Sequence, residues 1–380
     1  MSLATRSRAR TGSSRPAPAP RTRGDVLFAV AVGVLLAVHA VIFVATLVLA
    51  PVTPVEQRSL DLLQLPVEVG RALMLPFHAL LLVCLFILGR RAAGRWAGFG
   101  SMLAVLALDL RADPTDPVYG PAVVTGGWAA AALLAAAFVL LRRRPAAAAL
   151  LTGVASGFAG TAALALPAFL IAIALRPGRR AGARAKAAEL GAFTAAWALT
   201  AALVQAVWLS RLGAAGWLDR AAEYTAEFRP HDLVPWLEQQ RIVFAAWHFA
   251  PLVTFGLALF LFAAAATGAV RYLMVPVEGE RGPAVLRVLR RFPPELTAAF
   301  LTMLFFGVWW ALSGSEVVVD PMLPVLGAVA PLLTALAYRG AKWLLTVNRF
   351  WTFGATAYLI GLILARSTQL VITLVHAFQV

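Results

Sequence analysis

Charged side chains interrupt the apolar sequence in the stretch "LVLAPVTPVEQRSLDLLQLPVEVGRALML", which covers residues 47–75. Its charged residues are Glu56, Arg58, Asp61, Glu68 and Arg71. A second such stretch, "DLRADPTDPVYG", supplies Asp109, Arg111, Asp113 and Asp116. Charges beside apolar spans are costly unless they are paired or reached by water. These groups therefore either form ordinary solvated loops or line a site that handles a charged substrate.

The composition is that of a membrane protein. Hydrophobic residues make up 61% of the 380 residues and charged residues only 13%, against about 25% charged in a typical soluble domain. The Ala/Leu-rich runs favour helices, and the alternation typical of a β-barrel is missing. The predicted fold class is therefore all-α, a polytopic bundle of transmembrane helices. The lone Cys84 excludes a disulfide framework and is expected to be a small buried residue.

The charge pattern predicts the topology. We expect about eleven membrane segments, with most of the 33 lysines and arginines inside and most of the 18 acidic residues outside. This distribution also explains the net charge of +15 without nucleic acid, which is not expected as a partner. The predicted segments are 25–50, 71–89, 96–110, 122–141, 147–159, 160–175, 190–210, 243–270, 295–313, 321–337 and 343–365.

One domain is expected to span residues 25–380, behind a disordered basic cytoplasmic tail at 1–24. Its outer loops are predicted at 51–70, 111–121 and 211–242. The segments 147–159 and 160–175 are too short to cross alone, so we expect them to enter from inside, turn near "SGFAG" and return. One long tilted helix is the alternative. Gly153, Gly157 and Gly160 would allow close helix packing.

The outer loop 211–242 alternates aromatic and charged residues. This spacing is typical of an amphipathic helix resting on the membrane, or of a wall or lid of a site at its surface. Prolines beside Asp113 and Asp116 are equally typical of a plain turn. No metal-ligand spacing is found among the scattered histidines His39, His78, His248 and His376. We expect their rings to be hydrogen-bonded within the bundle.

Several stretches resemble the GT-C superfamily of integral-membrane glycosyltransferases, the class of protein O-mannosyltransferases and the aminoarabinose transferase. The similar stretches are "LPFHALLLVCLFILGRRAAGRWAGFGSMLAVLALD", "RRRPAAAALLTGVASGFAGTAALALPAFLIAIALRPGRR" and "SGSEVVVDPMLPVLGAVAPLLTALAYRG". The resemblance implies a GT-C-like bundle in a bacterial inner membrane. It also implies transfer of a sugar from a polyprenyl-phosphate donor to an acceptor at the outer, periplasmic face.

The resemblance also implies roles for the charged residues. A carboxylate would take the acceptor's proton, and Glu56 is the first candidate, with Asp61, Asp113 and Asp116 behind it. A guanidinium would hold the donor phosphate, with Arg71, Arg58, Arg111 and Arg211 as candidates. No cofactor is expected, although a divalent metal is left open. Membrane lipids and further membrane proteins are the remaining partners.

Two other functions compete with this one. The acidic pair of the family's first loop is missing, and its late turn reads "SEVVVD" here. These departures favour a non-catalytic GT-C-like subunit or scaffold of a larger complex. A transporter is the third alternative, disfavoured because no internal duplication is visible.

Overall fold

The computed structural model describes residues 23–49, 54–109, 122–176, 182–226, 292–313 and 320–347, with a few single positions besides. Every regular element in these ranges is helical. The α-helices are α1 (Arg23–Leu49), α2 (Pro54–Leu63), α3 (Val67–Ala93), α4 (Arg95–Asp109), α5 (Gly126–Leu141), α6 (Pro145–Phe158), α7 (Ala165–Leu175), α8 (Ala183–Ala226), α9 (Pro294–Ser313) and α10 (Leu326–Val347). Short 3₁₀ helices, Gly160–Leu164 and Asp320–Val325, precede α7 and α10.

Five helices within the described residues are long and apolar enough to cross a membrane. They are Arg23–Val48, Val67–Ala93, Ala183–Ala222, Pro294–Leu312 and Leu323–Gly340. Helices α5 and α6 and the segment Gly160–Leu175 are apolar but shorter. This all-helical, apolar architecture is that of a membrane-embedded protein. The expected segment 243–270 and most of 343–365 lie outside the described residues.

The chain divides into two compact units, Met1–Val38 and His39–Val380. In the first, the described residues are the beginning of α1. In the second, α3 packs on α4 and α5, α6 packs on α5 and α8, and α10 lies against α3 and α4. Alanines fill the centre of this unit, with Phe138 and Phe169 stacked at 4.9 Å between ring centroids. Small side chains let the helices approach closely, as in other membrane bundles.

The short pair α6 and α7 reverses direction, as the sequence predicted. Ala159 is extended (φ −134°, ψ 121°) and interrupts the helix. At the far end of α7, Arg176 Nη2 donates to the carbonyl of Arg142, just before α6 begins. The start of α6 and the end of α7 therefore lie together. One long tilted helix is not what the chain forms.

Basic residues gather at this same end of the bundle. Arg91, in the last turn of α3, donates to the carbonyl of Val139 near the end of α5. Arg339 on α10 donates to the carbonyl of Ala92. These contacts bring together connections that the charge pattern assigned to one side of the membrane. We call this region the arginine end, and the opposite region, where α1 ends and α3 begins, the α2 end.

The first connection, predicted as an outer loop at 51–70, contains a helix. It holds α2, which begins at Pro54, where a missing N–H costs nothing, and carries Glu56 in its first turn. The helix stops at Gln64, whose φ of 55° is left-handed. Gln64 N–H then reaches the carbonyl of Asp61, and Leu65 N–H that of Leu60, the pairing of a Schellman motif.

Candidate functional site

The shortest ion pair in the described residues joins two of the predicted site residues. Arg71 Nε donates to Glu56 Oε1 at 2.8 Å, and Arg71 Nη2 to Oε2 at 2.7 Å. Glu56 is 0% exposed and Arg71 2% exposed. This forked geometry is the strongest form of a carboxylate–guanidinium contact, and here it is shielded from solvent.

Arg71 also completes the end of the first helix. Its Nη1 donates to the carbonyls of Thr46 and Leu47, at 3.3 and 3.2 Å. The last carbonyls of any helix lack partners within it and favour a nearby cation. Helix α1 has no basic residue in its own last turn. Arg71, which lies on α3, therefore supplies the positive charge that the last turn of α1 lacks.

A further segment joins at the carboxylate. The backbone N–H of Val124, just before α5, donates to Glu56 Oε1 at 3.2 Å. Within the described residues Glu56 thus accepts three hydrogen bonds, from two parts of the chain beyond its own helix. The pair ties α1, α2, α3 and the approach to α5 together at the α2 end.

Close packing underneath the pair depends on one glycine. A Cβ on Gly70 would collide with the side chain of Leu60, which is itself only 2% exposed. Leu60 follows Glu56 by one helical turn, so the two form the buried face of α2. The sequence places Gly70 directly before Arg71, where the helices touch.

The remaining predicted site residues are not drawn into this cluster. Arg58 and Asp61 lie exposed on α2, where Asp61 Oδ1 accepts from Gln57 Nε2 at 2.6 Å. Arg211 lies exposed on α8. Asp113, Asp116 and Arg111 lie outside the described residues.

A second buried carboxylate, Glu295 on α9, did not feature among the predicted site residues. It is 0% exposed, and Arg91 Nη1 lies 3.4 Å from its Oε1. Its Oε2 has no partner in the described part of the chain. The sequence feature that could have identified Glu295 is its position as a lone acid in the first turn of an apolar helix, where the helix dipole favours a negative charge.

Two histidines meet although their spacing gave no sign of it. His78 Nε2 lies 3.3 Å from His39 Nδ1, and His39 Nε2 lies 3.2 Å from the carbonyl of Met102. Contrary to expectation, His78 is not fully satisfied, because its Nδ1 has no partner among the described residues. Within those residues, no group of three or more His, Cys, Asp or Glu could hold a metal ion.

Comparisons of the chain with protein-family models, with curated proteins and with solved structures find no match in any of the three. The resemblance to the GT-C superfamily therefore stays a prediction. Among the residues that it singled out, Glu56 and Arg71 form an ion pair, with Nη2 2.7 Å from Oε2.

Proposed function

We propose that the chain is an integral-membrane glycosyltransferase that moves a sugar from a polyprenyl-phosphate donor to an acceptor at the outer face. The observation that supports it is the Glu56–Arg71 pair. A carboxylate and a guanidinium, the two charged groups that this reaction needs, come from different helices and meet at the α2 end. In this proposal the α2 end is the outer end.

The pair in its present form is the resting state of the proposed enzyme. A base must reach the proton it takes, and Glu56 here is fully buried with both oxygens occupied. The donor's phosphate would compete for the fork of Arg71, because guanidinium binds phosphate as well as carboxylate. Arg71 would stay in place through the carbonyls of Thr46 and Leu47. Glu56 would then be released toward the acceptor.

The transfer step balances as an inverting displacement. The acceptor oxygen forms a bond to the anomeric carbon of the sugar while the bond from that carbon to the phosphate oxygen breaks. The lipid phosphate leaves with the bonding electron pair, and its charge is held by Arg71. The acceptor's proton passes to the carboxylate of Glu56. Arg58 and Asp61, exposed on α2, would face donor or acceptor from the same side.

Glu56→Gln is the direct test, with transfer from polyprenyl-phosphate sugars measured on the purified full chain. Loss of a general base lowers a rate about 10²–10⁴-fold. Because this variant also leaves Arg71 buried without its partner, the double variant Glu56→Leu/Arg71→Met is needed beside it. Uncharged replacements for a buried pair often keep a fold intact. A folded double variant with no transfer supports the proposal, and one with wild-type transfer overturns it.

Glu68→Gln serves as the matched control. Glu68 lies on the same helix as Arg71 but is exposed, so its loss should leave transfer unchanged. If Glu68→Gln lowers transfer as much as Glu56→Gln does, the effect comes from the general charge of this region. The role assigned to Glu56 would then fail.

A second candidate function is a non-catalytic subunit or scaffold of a membrane complex. The observation that favours it is the burial of the same pair, because a carboxylate that accepts hydrogen bonds from Arg71 and Val124 and has no solvent contact can stabilise the bundle without taking part in a reaction. Wild-type protein that transfers no sugar from any polyprenyl-phosphate donor supports this function. Copurification of an intact partner complex from native membranes would then follow as its positive test.

A further inference from the structure

A small group of buried polar atoms lies deeper in the bundle than the Glu56–Arg71 pair. His78 follows Arg71 by two helical turns on the same face of α3, about 10 Å further along the axis. Trp128, in the first turn of α5, contacts it, and Thr125 is the residue directly before that helix. All three side chains are buried, with 6%, 3% and 3% exposure. The rings of His78 and Trp128 meet edge to face, 6.1 Å between centroids.

Each of these three side chains has one polar atom without a partner in the described part of the chain. The atoms are His78 Nδ1, Trp128 Nε1 and Thr125 Oγ1. Buried polar groups are nearly always hydrogen-bonded, so a single exception calls for an explanation. Three exceptions on facing elements point to a common partner.

The hydrogen-bond directions around the histidines show which partner His78 needs. The carbonyl of Met102 can only accept, so His39 Nε2 carries the proton. With both rings neutral, His39 Nδ1 is then an acceptor, and His78 Nε2 must donate to it. His78 Nδ1 is therefore left with a lone pair and needs a donor.

The unpartnered atom of Trp128, in contrast, needs a hydrogen-bond acceptor. Trp128 Nε1–H can only donate, and the Thr125 hydroxyl can donate or accept. One hydroxyl group meets all three requirements, since it accepts from Trp128, accepts from Thr125 and donates to His78. Two hydrogen bonds of about 2.9 Å that meet at one oxygen bridge nitrogens about 5 Å apart, a span within reach of two rings whose centroids are 6.1 Å apart.

We propose that His78, Trp128 and Thr125 form a buried binding site for one hydroxyl group. Water and the hydroxyl of a small or lipid alcohol share this chemistry. The site is independent of the proposed transferase function, and its test does not use activity.

The test is solid-state NMR of the full chain in bilayers, labelled with ¹⁵N in histidine and in the tryptophan indole. We expect His78 to carry its proton on Nε2, with Nδ1 accepting a hydrogen bond. Magnetisation from a hydroxyl proton should reach both His78 Nδ1 and Trp128 Nε1. Direct ¹⁵N–¹⁵N transfer between Trp128 and His78, or a protonated His78 Nδ1, would overturn the site.

Two solvent conditions distinguish the sources of the hydroxyl. Bound water transfers magnetisation from the water resonance even in deuterated lipid. A bound alcohol transfers it from its own carbon-bound protons when the solvent is D₂O. Transfer from neither source overturns the proposal.

Trp128→Phe removes one donor while keeping an aromatic ring. We expect the His78 Nδ1 resonance to move toward that of an unbonded acceptor and the hydroxyl transfer to weaken. Trp96→Phe, at a more exposed position on α4, is the control and should change neither signal. An unchanged spectrum in folded Trp128→Phe protein would remove Trp128 from the site. Because the wild-type spectrum already tests the site, the proposal does not depend on either variant folding.

Discussion

The indole of Trp217 donates from Nε1 to Gln205 Oε1 at 3.0 Å, across twelve residues of one helix. In a straight α-helix these residues would be about 18 Å apart along the axis. The contact exists because α8 folds back at Gly213, whose φ of 70° and ψ of 177° are not helical. Arg220 lies over the ring of Trp208, 4.6 Å from its centroid, and supports the same reversal.

Gly213→Ala should loosen this reversal. The backbone region that Gly213 occupies is essentially restricted to glycine, and forcing another residue into it costs about 1–3 kcal/mol. We expect faster amide hydrogen exchange over residues 205–226, measured by mass spectrometry. Gly191→Ala, on the same helix with no neighbour within 4 Å, should not change exchange there. Equal exchange in the two variants would contradict the role of Gly213.

Helix α6 should tolerate no side chain at its two glycines that face α8. A Cβ on Gly153 would collide with Thr200 and the carbonyl of Trp197, and one on Gly157 would collide with Val204. We expect Gly153→Ala to lower the free energy of unfolding by about 1–3 kcal/mol, as overpacking does. Thermal unfolding in detergent measures this.

Gly191→Ala is the control for this unfolding measurement, because its new Cβ meets no neighbour. An exposed helical glycine replaced by alanine gains about 0.5–1 kcal/mol. If Gly153→Ala lowers the free energy of unfolding while Gly191→Ala leaves it unchanged or raises it, the collision of the new Cβ with α8 is the cause. If both variants lose stability to the same extent, the loss at Gly153 does not come from its contact with α8, and the packing argument fails.

Breaking the Glu56–Arg71 pair on one side should cost more than replacing it on both. Each single variant, Glu56→Leu or Arg71→Met, leaves an uncompensated buried charge and should lose about 3–5 kcal/mol. The double variant should recover most of that loss. A double-mutant cycle by thermal or denaturant unfolding measures the coupling. Additive losses would show that the two charges do not stabilise each other.

Labelling of introduced cysteines can test the membrane orientation that the charge pattern predicts. In a Cys84→Ala background, Glu68→Cys should react with an impermeant maleimide applied outside the cell. Arg143→Cys should react only after permeabilisation. Both positions are exposed, and they belong to opposite ends of the bundle. The reverse labelling pattern would invert the predicted topology and move the proposed transfer to the cytoplasmic face.

The helices were largely predictable because their apolar runs are long and continuous. Nine of the expected segments coincide with helices of the described chain, and the break between 147–159 and 160–175 was visible as a cluster of small residues. Helix α2 was missed. Among its described side chains Glu56 and Leu60 are the buried ones, and a charged residue on that buried face hides the apolar pattern.

The contacts within the candidate site were not predictable from spacing. Glu56 and Arg71 were each singled out, but nothing in the sequence says that they neutralise each other, because that depends on how α2 packs against α3. His39 and His78 are 39 residues apart on two helices whose register is set by the whole interface. Sequence identifies which residues carry charge, whereas packing decides whether that charge faces substrate or another side chain.

The contact of Arg71 with the carbonyls of Thr46 and Leu47 has a consequence for biogenesis. These residues lie 25 and 24 positions before Arg71, so the end of α1 is synthesised well before the side chain that completes it. Until α3 arrives, the last carbonyls of α1 must be satisfied by water or lipid headgroups. The hydrogen bonds that complete the end of α1 therefore form only after α3 has been synthesised.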